Sequence, residues 1–304
     1  MRPVALVAGA TGFIGGRLAG ALLDAGYEVR CLVRRPERAQ ALVVLGCEVR
    51  QGDVTDADSL VGAGRGADVA YYLVHAMAGG AGYHEREQDG ATNFARMAAD
   101  EGVARVVYLG GLGDANVSAH LRSRHETALA LERNGPPLTY FRAAMVVGAG
   151  SESYRTLRYL VPRLPVMIAP AWLRAPTQPI AVDDAIAYLV QAAAPDAASG
   201  LEVQIGGPDV LSYGRMLDRM ALALGMNPRP KIPVPLITPW LSALWLGLVT
   251  PVDTNVARPL VEGLRTATVV TDPVPAHGFA VEPIGFDAAL RRALAEEELS
   301  EAAA

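Results

Sequence analysis

Short apolar runs alternate with amphipathic stretches through the first half of the chain. Val4–Ala8, Glu28–Val33, Glu48–Gln51, Val69–Val74, Arg105–Leu109 and Leu138–Phe141 read as strands. Between them Arg17–Ala25, Glu37–Leu45, Ser59–Gly62, Glu85–Gly102 and Ser118–Arg133 read as helices. Gly26 and Gly46 close the first two, and Ser118 is an N-cap for the last, which Asn134-Gly135 stops. Such alternation predicts an α/β fold, a doubly wound parallel sheet with helices on both faces. Ligands of such sheets bind at the carboxyl ends of the strands, near the switch in strand order. After Gly150 the rhythm breaks. Prolines cluster from Pro162 to Pro179, followed by a strand (Pro179–Val182), a helix (Asp183–Ala194), a strand (Leu201–Ile205), a helix (Tyr213–Leu224) and an acidic tail helix (Phe286–Glu298). Asp183 and Asp184 read as the N-cap of their helix.

Composition narrows the class. Hydrophobic residues make up 51% and charged residues 19% of 304, enough apolar surface for a packed core. The net charge of −5 comes with no basic stripe, which argues against nucleic acid as a partner. Cys31 and Cys47 form no Cys-x-x-Cys pair and no disulfide framework, so a reducing, cytoplasmic setting is expected. The N-terminus runs straight into a strand pattern, without the features of a signal peptide. Leu236–Val249 is apolar, but a spanning helix needs ~20 such residues and Pro235, Pro239 and Pro251 interrupt this stretch. The expectation is therefore no integral membrane span. Together with Trp172, Trp240 and Trp245, the segment reads as the wall of an apolar substrate cleft or as a partner surface. The helices beside the fourth and fifth strands are a candidate homodimer face.

The strongest chemical signal is Gly9-Ala10-Thr11-Gly12-Phe13-Ile14-Gly15, a G-x-x-G-x-x-G run that follows the first strand and opens the first helix. Gly9 allows the sharp turn, Gly12 lets backbone N–H groups approach a pyrophosphate, and Gly15 lets the helix pack closely on the strand. In this strand–loop–helix setting the run is a dinucleotide site. A carboxylate at the end of the second strand would hold a ribose 2′-hydroxyl; this chain has Arg34 and Arg35 there, which suit a 2′-phosphate and hence NADP(H). Asp53 and Val54, after the third strand, flank the adenine.

The stretches GATGFIGGRL, CLVRRPE, GDVTD, YLGGLGD, FRAAMVVGAGS, QPIAVDDAIAYL and IGGPDVLSY together resemble the short-chain dehydrogenase/reductase superfamily. More narrowly the chain is similar to its atypical, NmrA-like NAD(P)-binding branch, including the group with a DUF2867-type C-terminal portion. The resemblance covers nearly the whole chain. It implies a Rossmann-type NADP(H)-binding domain over residues 1–150, with the strands near 179–182 and 201–205 returning to it. A smaller C-terminal α+β region, 151–304, would then close over a small apolar substrate. It also implies that Gly9, Thr11, Gly12, Phe13 and Ile14 lie on the pyrophosphate loop, and that Arg34 meets the 2′-phosphate. Leu73, Val74 and His75 would lie beside the ribose and nicotinamide, and Ala143, Ala144 and Met145 near the nicotinamide face.

The chain departs from the superfamily in its catalytic set, a Ser followed by Tyr-x-x-x-Lys. Lys231 is the single lysine, and no tyrosine stands four residues before it. Gly110 or Gly111 occupies the place of the serine, His120 that of the tyrosine and Arg124 that of the lysine. His120 and Arg124 share one helix face. Arg124 can hold a ribose or a carbonyl oxygen but does not deprotonate. His120 is a candidate proton donor, though its place in a first helical turn disfavours the cation. Tyr83, beside His84 in the loop after the fourth strand, is an alternative acid, and Asn93 a candidate to steady a water. The histidines have no metal-site spacing, and no metal is expected. Two functions remain open: an NADP(H)-dependent reductase of apolar carbonyls or activated double bonds, and a non-catalytic NADP(H)-binding redox sensor or scaffold.

Overall fold

A computed structural model describes residues 2–75, 83–114, 118–163, 166–197, 199–234 and 267–302; residues 83–84, 119, 167–172 and 233–234 are described by their backbone alone. A central sheet of seven parallel strands is built from β1 (Val4–Ala8), β2 (Glu28–Val33), β3 (Glu48–Gln51), β4 (Val69–Tyr72), β5 (Arg105–Gly111), β6 (Leu138–Ala143) and the strand Leu201–Ile205. Their order across the sheet is β3-β2-β1-β4-β5-β6, then Leu201–Ile205, which pairs with β6 in parallel. The chain direction of travel switches between β1 and β4, so the crevice for a ligand opens at the carboxyl ends of those two strands.

The sheet is buried on both sides, and the period of two along each strand assigns the faces. In β1, Ala5 and Val7 enter one core with α1 (Phe13–Asp24) and α6 (Val182–Gln191), while Leu6 and Ala8 enter another with α3 (Tyr83–Asp100) and α4 (Ala119–Asn134). The neighbouring tyrosines of β4 divide in the same way. The Tyr71 hydroxyl donates to the Leu189 carbonyl of α6 at 2.8 Å, and the Tyr72 ring packs on Phe94 of α3. A third apolar core joins α5 (Glu152–Arg163), α7 (Tyr213–Ala223) and the C-terminal helix Phe286–Ala302. That core builds the wall facing the crevice.

Several local expectations change. The strand near 179–182 is only Ile180–Ala181, and it pairs with Val146–Val147 in a small sheet of its own. Glu37–Leu45 divides into a 3-10 turn, Pro36–Arg38, and a short α2 (Gln40–Leu45). Asp183 and Asp184 do not cap α6: Ala181 is the N-cap, Asp183 pairs with Arg292, and Asp184 accepts the Ile284 N–H. Both carboxylates instead fasten the C-terminal segment to α6. Ser118 stands at the N-cap of α4, but its hydroxyl is buried and makes no cap hydrogen bond. The segment 236–249, with Trp240 and Trp245, and the side chain of Trp172 lie outside the described residues. Among the described residues no helix is long and apolar enough to cross a membrane.

Candidate functional site

The glycine loop is shaped by two close approaches. Gly9 has φ +89°, and a Cβ on it would lie 2.6 Å from the carbonyl of Leu73. The residue must therefore lack a side chain for both conformation and space. A Cβ on Gly15 would lie 2.2 Å from the Gly9 carbonyl oxygen, so this glycine packs the helix against its own loop. The Gly12 N–H donates to Gly9 O at 3.0 Å and closes the turn. Gly12 is the N-cap of α1, no side chain caps the helix, and its first turn holds no acidic residue. Thr11 and Gly12 are exposed. Free N–H groups at the positive end of a helix fit a pyrophosphate.

Arg34 and Arg35 follow β2 at the surface and make no ion pair among the described residues, which leaves both guanidiniums available to a phosphate. Asp53 and Val54 follow β3. The Asp53 carboxylate accepts from the backbone and hydroxyl of Thr55, and the Val54 carbonyl accepts from Asn93 Nδ2 at 3.0 Å. Asn93 thus braces this loop and has no part in the cavity. Leu73, Val74 and His75 leave β4 directly under the glycine loop, with the Leu73 N–H bonded to Ala8 O.

At the carboxyl ends of β4, β5 and β6 lies a cavity of about 550 Å³, a size that suits a small organic ligand. Phe13 and Ile14 of the loop, His75, His120, Arg124, and Ala143–Met145 line it together. Residues of the sequence far apart thus meet in one place. The opposite wall is Ser151–Ser153, Thr156 and Leu157 of α5 with Tyr213. Burial pushes the Tyr213 hydroxyl up to about 12, so it stays protonated at neutral pH. Tyr83, expected in a loop, opens α3, and its side chain is not among those described.

At Gly110 and Gly111, where the resemblance implies a serine, neighbouring side chains approach closely. A Cβ on Gly110 would lie 2.6 Å from the Tyr140 ring, and one on Gly111 2.5 Å from a Leu121 methyl. No larger residue enters either position without moving these neighbours. On α4, His120 and Arg124 face the cavity as the four-residue spacing requires. The Arg124 guanidinium lies over the Tyr108 ring at 5.7 Å, and its Nε is buried without a partner. His120 is lowered to about 3 by burial first, then by Arg124 and His75. At neutral pH it is an uncharged imidazole, in line with a first helical turn that disfavours the cation.

Sequence reasoning did not reach Glu87 and Ser123. Glu87 is buried on α3, and its Oε1 lies 2.9 Å from His75 Nδ1. The Ser123 hydroxyl of α4 donates to the other carboxylate oxygen. No spacing announces this group, because its members come from three elements. Burial and Arg124 lower the His75 pKa, and the Glu87 carboxylate opposes them. Among the described residues no cluster of His, Cys, Asp or Glu could hold a metal.

Residues 9–134 match a family described as NAD(P)H-binding. A curated relative, the (4-alkanoyl-5-oxo-2,5-dihydrofuran-3-yl)methyl phosphate reductase of Streptomyces griseus, is 34% identical over 140 residues, 45% of this chain and 46% of that one. The chain spans about half or less of the length of the curated relatives it matches. Among solved structures, an NADPH-dependent quinone oxidoreductase from Escherichia coli, complexed with NADPH, superposes with a TM-score of 0.75 at 18% identity, covering 97% of this chain and 99% of that one. The Citrobacter sp. triphenylmethane reductase complexed with NADP(H) gives 0.73 at 16% identity over 96% and 99%. The C-terminal portion, where a DUF2867-type resemblance is expected, lies outside the residues that match the family. Residues 9–134 are thus similar to the NAD(P)H-binding family, and the chain has the Rossmann-type α/β fold of these solved structures.

Proposed function

We propose that the protein is an NADPH-dependent oxidoreductase acting on a small apolar carbonyl compound, quinone or activated double bond. The observation that carries this reading is the single cavity into which the glycine-loop residues Phe13 and Ile14, the α4 pair His120 and Arg124, and Ala143–Met145 all open. The Gly9–Gly15 loop would bind the pyrophosphate by its N–H groups. Arg34 and Arg35 would bind the 2′-phosphate, and Asp53 and Val54 would flank the adenine. Leu73–His75 and Ala143–Met145 would border the nicotinamide end. The bound cofactor supplies hydride chemistry; the protein orients and polarises the acceptor. Arg124 offers fixed donors, with its buried Nε unpartnered, to an acceptor oxygen or the ribose. The apolar side chains of the loop and of α5 exclude water and strengthen that polarisation.

The test is cofactor turnover. Protein loaded with NADPH, mixed with 2-methyl-1,4-naphthoquinone and a panel of enones, should lose the nicotinamide absorbance with multiple turnovers. Tight NADPH binding with no consumption of any acceptor would instead favour the sensor or scaffold reading.

A further inference from the structure

Arg124 is a permanent positive charge in the cavity wall, fixed over the Tyr108 ring and without an ion pair among the described residues. Its neighbours carry no compensating proton chemistry near neutral pH. His120, one turn before it on α4, and His75, at the end of β4, are lowered by burial and then by Arg124 itself. Tyr108 of β5 and Tyr140 of β6 are raised, chiefly by burial. The carboxylate packed nearby, Glu87 of α3, is engaged by His75 and Ser123. On the opposite wall Glu152 pairs with Arg155 at 3.2 Å. Around these groups the lining is apolar, with Phe13, Leu112 and Leu157. A guanidinium does not give up its proton, and in an apolar setting its charge acts strongly on a nearby anion. Among the described residues this wall therefore stabilises a negative oxygen far better than it protonates one.

We propose that the cavity selects acceptors whose reduction puts a delocalised negative charge on an oxygen facing Arg124, a para-quinone being the matching class, and that the product leaves as its anion. The proposal rests on the oxidoreductase reading and narrows it, setting aside simple ketones and cationic acceptors. A hydride, one hydrogen with the electron pair of its broken C–H bond, bonds to one quinone oxygen. The ring π electrons shift, and the other oxygen becomes a phenolate against Arg124. The products are the oxidised cofactor and a hydroquinone monoanion, so hydrogen, electrons and charge balance. The monoanion takes its proton from water after release. A phenolate is a weak enough base for this route, its conjugate acid lying at ~10. A simple ketone would yield an alkoxide about as basic as hydroxide, whose conjugate acid lies at ~16, and that product needs a proton within the site.

The experiment begins with binding. 2-Hydroxy-1,4-naphthoquinone is an anion at neutral pH, whereas 2-methyl-1,4-naphthoquinone has the same ring frame and no charge. With NADP⁺ bound, the anion should bind about 10-fold or more tighter, the scale of one charge-assisted hydrogen bond, and Arg124→Gln should remove the difference. In turnover, Arg124→Gln should lower the ratio of kcat/KM for 2-methyl-1,4-naphthoquinone to that for malachite green about 100-fold or more. The dye is a cation that ends as a neutral product, so loss of the like charge should speed its reduction. The unmodified protein should leave 1-tetralone, a simple ketone of similar size, unreduced. Its single-turnover reduction of the quinone should run equally fast in ordinary and heavy water from about pH 7 to 9, because no proton moves with the hydride. Equal binding of the two naphthoquinones, an unchanged ratio, reduction of 1-tetralone or a solvent isotope effect overturns the proposal while the reductase reading stands. Unmodified protein that binds NADPH and reduces neither the quinone nor the dye overturns the reductase reading and the proposal with it. Should Arg124→Gln fail to fold, the binding preference and the isotope measurement on the unmodified protein decide.

Discussion

The two ends of the cavity are built by different means. At the glycine loop the working surface is backbone, and side chains matter by their absence: a Cβ on Gly9 or Gly15 would strike a carbonyl at 2.6 or 2.2 Å. At the histidine wall the working surface is side chain, assembled from the end of β4, from α3 and from α4. A backbone site tolerates little change because every N–H in it depends on one path of the chain. A side-chain site can lose one group and keep its shape. The loop should therefore fail as a whole, and the wall by degrees.

The largest expected effect is at the loop. Gly15→Ala forces a methyl into the Gly9 carbonyl, and overpacking of this kind costs ~1–3 kcal/mol. The strain falls on the N–H groups that face the pyrophosphate, so NADPH binding should be abolished in a fluorescence titration. Gly12→Ala, whose Cβ would lie 3.3 Å from the same oxygen, should bind far better. Equal affinities in the two variants would contradict the close approach as the cause.

Next comes the wall. Arg124→Ala should lower kcat/KM for the quinone by ~100–1000-fold, the usual cost of one donor to a developing oxyanion. Its effect on NADPH affinity should be much smaller. Arg124→Lys should restore little, since a point charge does not reproduce the planar fork. A loss confined to KM would place Arg124 in ground-state binding instead.

A smaller change separates the two cofactors at the outer end of the loop side. Replacing Arg34 and Arg35 by alanine should remove the preference for NADPH over NADH, each charge-assisted bond contributing roughly 1.5–3 kcal/mol. Equal affinity for both cofactors in the unmodified protein would remove the arginines from the 2′-phosphate site.

The smallest effect is on stability. Buried in the wall, His120 titrates at about 3, below its ordinary value of 6.5. The unfolded chain therefore binds more protons than the folded one between those limits. The contribution is complete above pH 6.5 and is lost as pH falls toward 3, by at most ~1.4 kcal/mol per pH unit. Denaturant titrations of His120→Gln should show a flatter acid limb than the unmodified protein. An unchanged limb would mean that His120 is solvated in the folded state.

The seven strands of the sheet and the helices between them were legible in the chain because period and glycine placement are local properties. β1 is apolar on both faces and must be central; G-x-x-G-x-x-G between a strand and a helix leaves one reasonable geometry. The four-residue spacing of His120 and Arg124 was likewise enough to put both on one face of α4, the face that lines the cavity. Other readings failed where a local rule met a distant partner. Asp183 and Asp184 look like a cap, but Arg292 and the Ile284 N–H claim them. Asn93 looks available to a water, but the Val54 carbonyl takes its amide.

By itself, then, the sequence determined the layered α/β architecture and the cofactor loop, since both follow from hydrophobic period, chain stereochemistry and the special freedom of glycine. Only the tertiary structure decided which titratable groups meet. His75 at the end of β4, Glu87 on α3, and His120 and Ser123 on α4 converge when α3 and α4 pack on the same face of the sheet. Burial and neighbouring charge then set their protonation, because desolvation is a property of the folded surroundings and not of the residue.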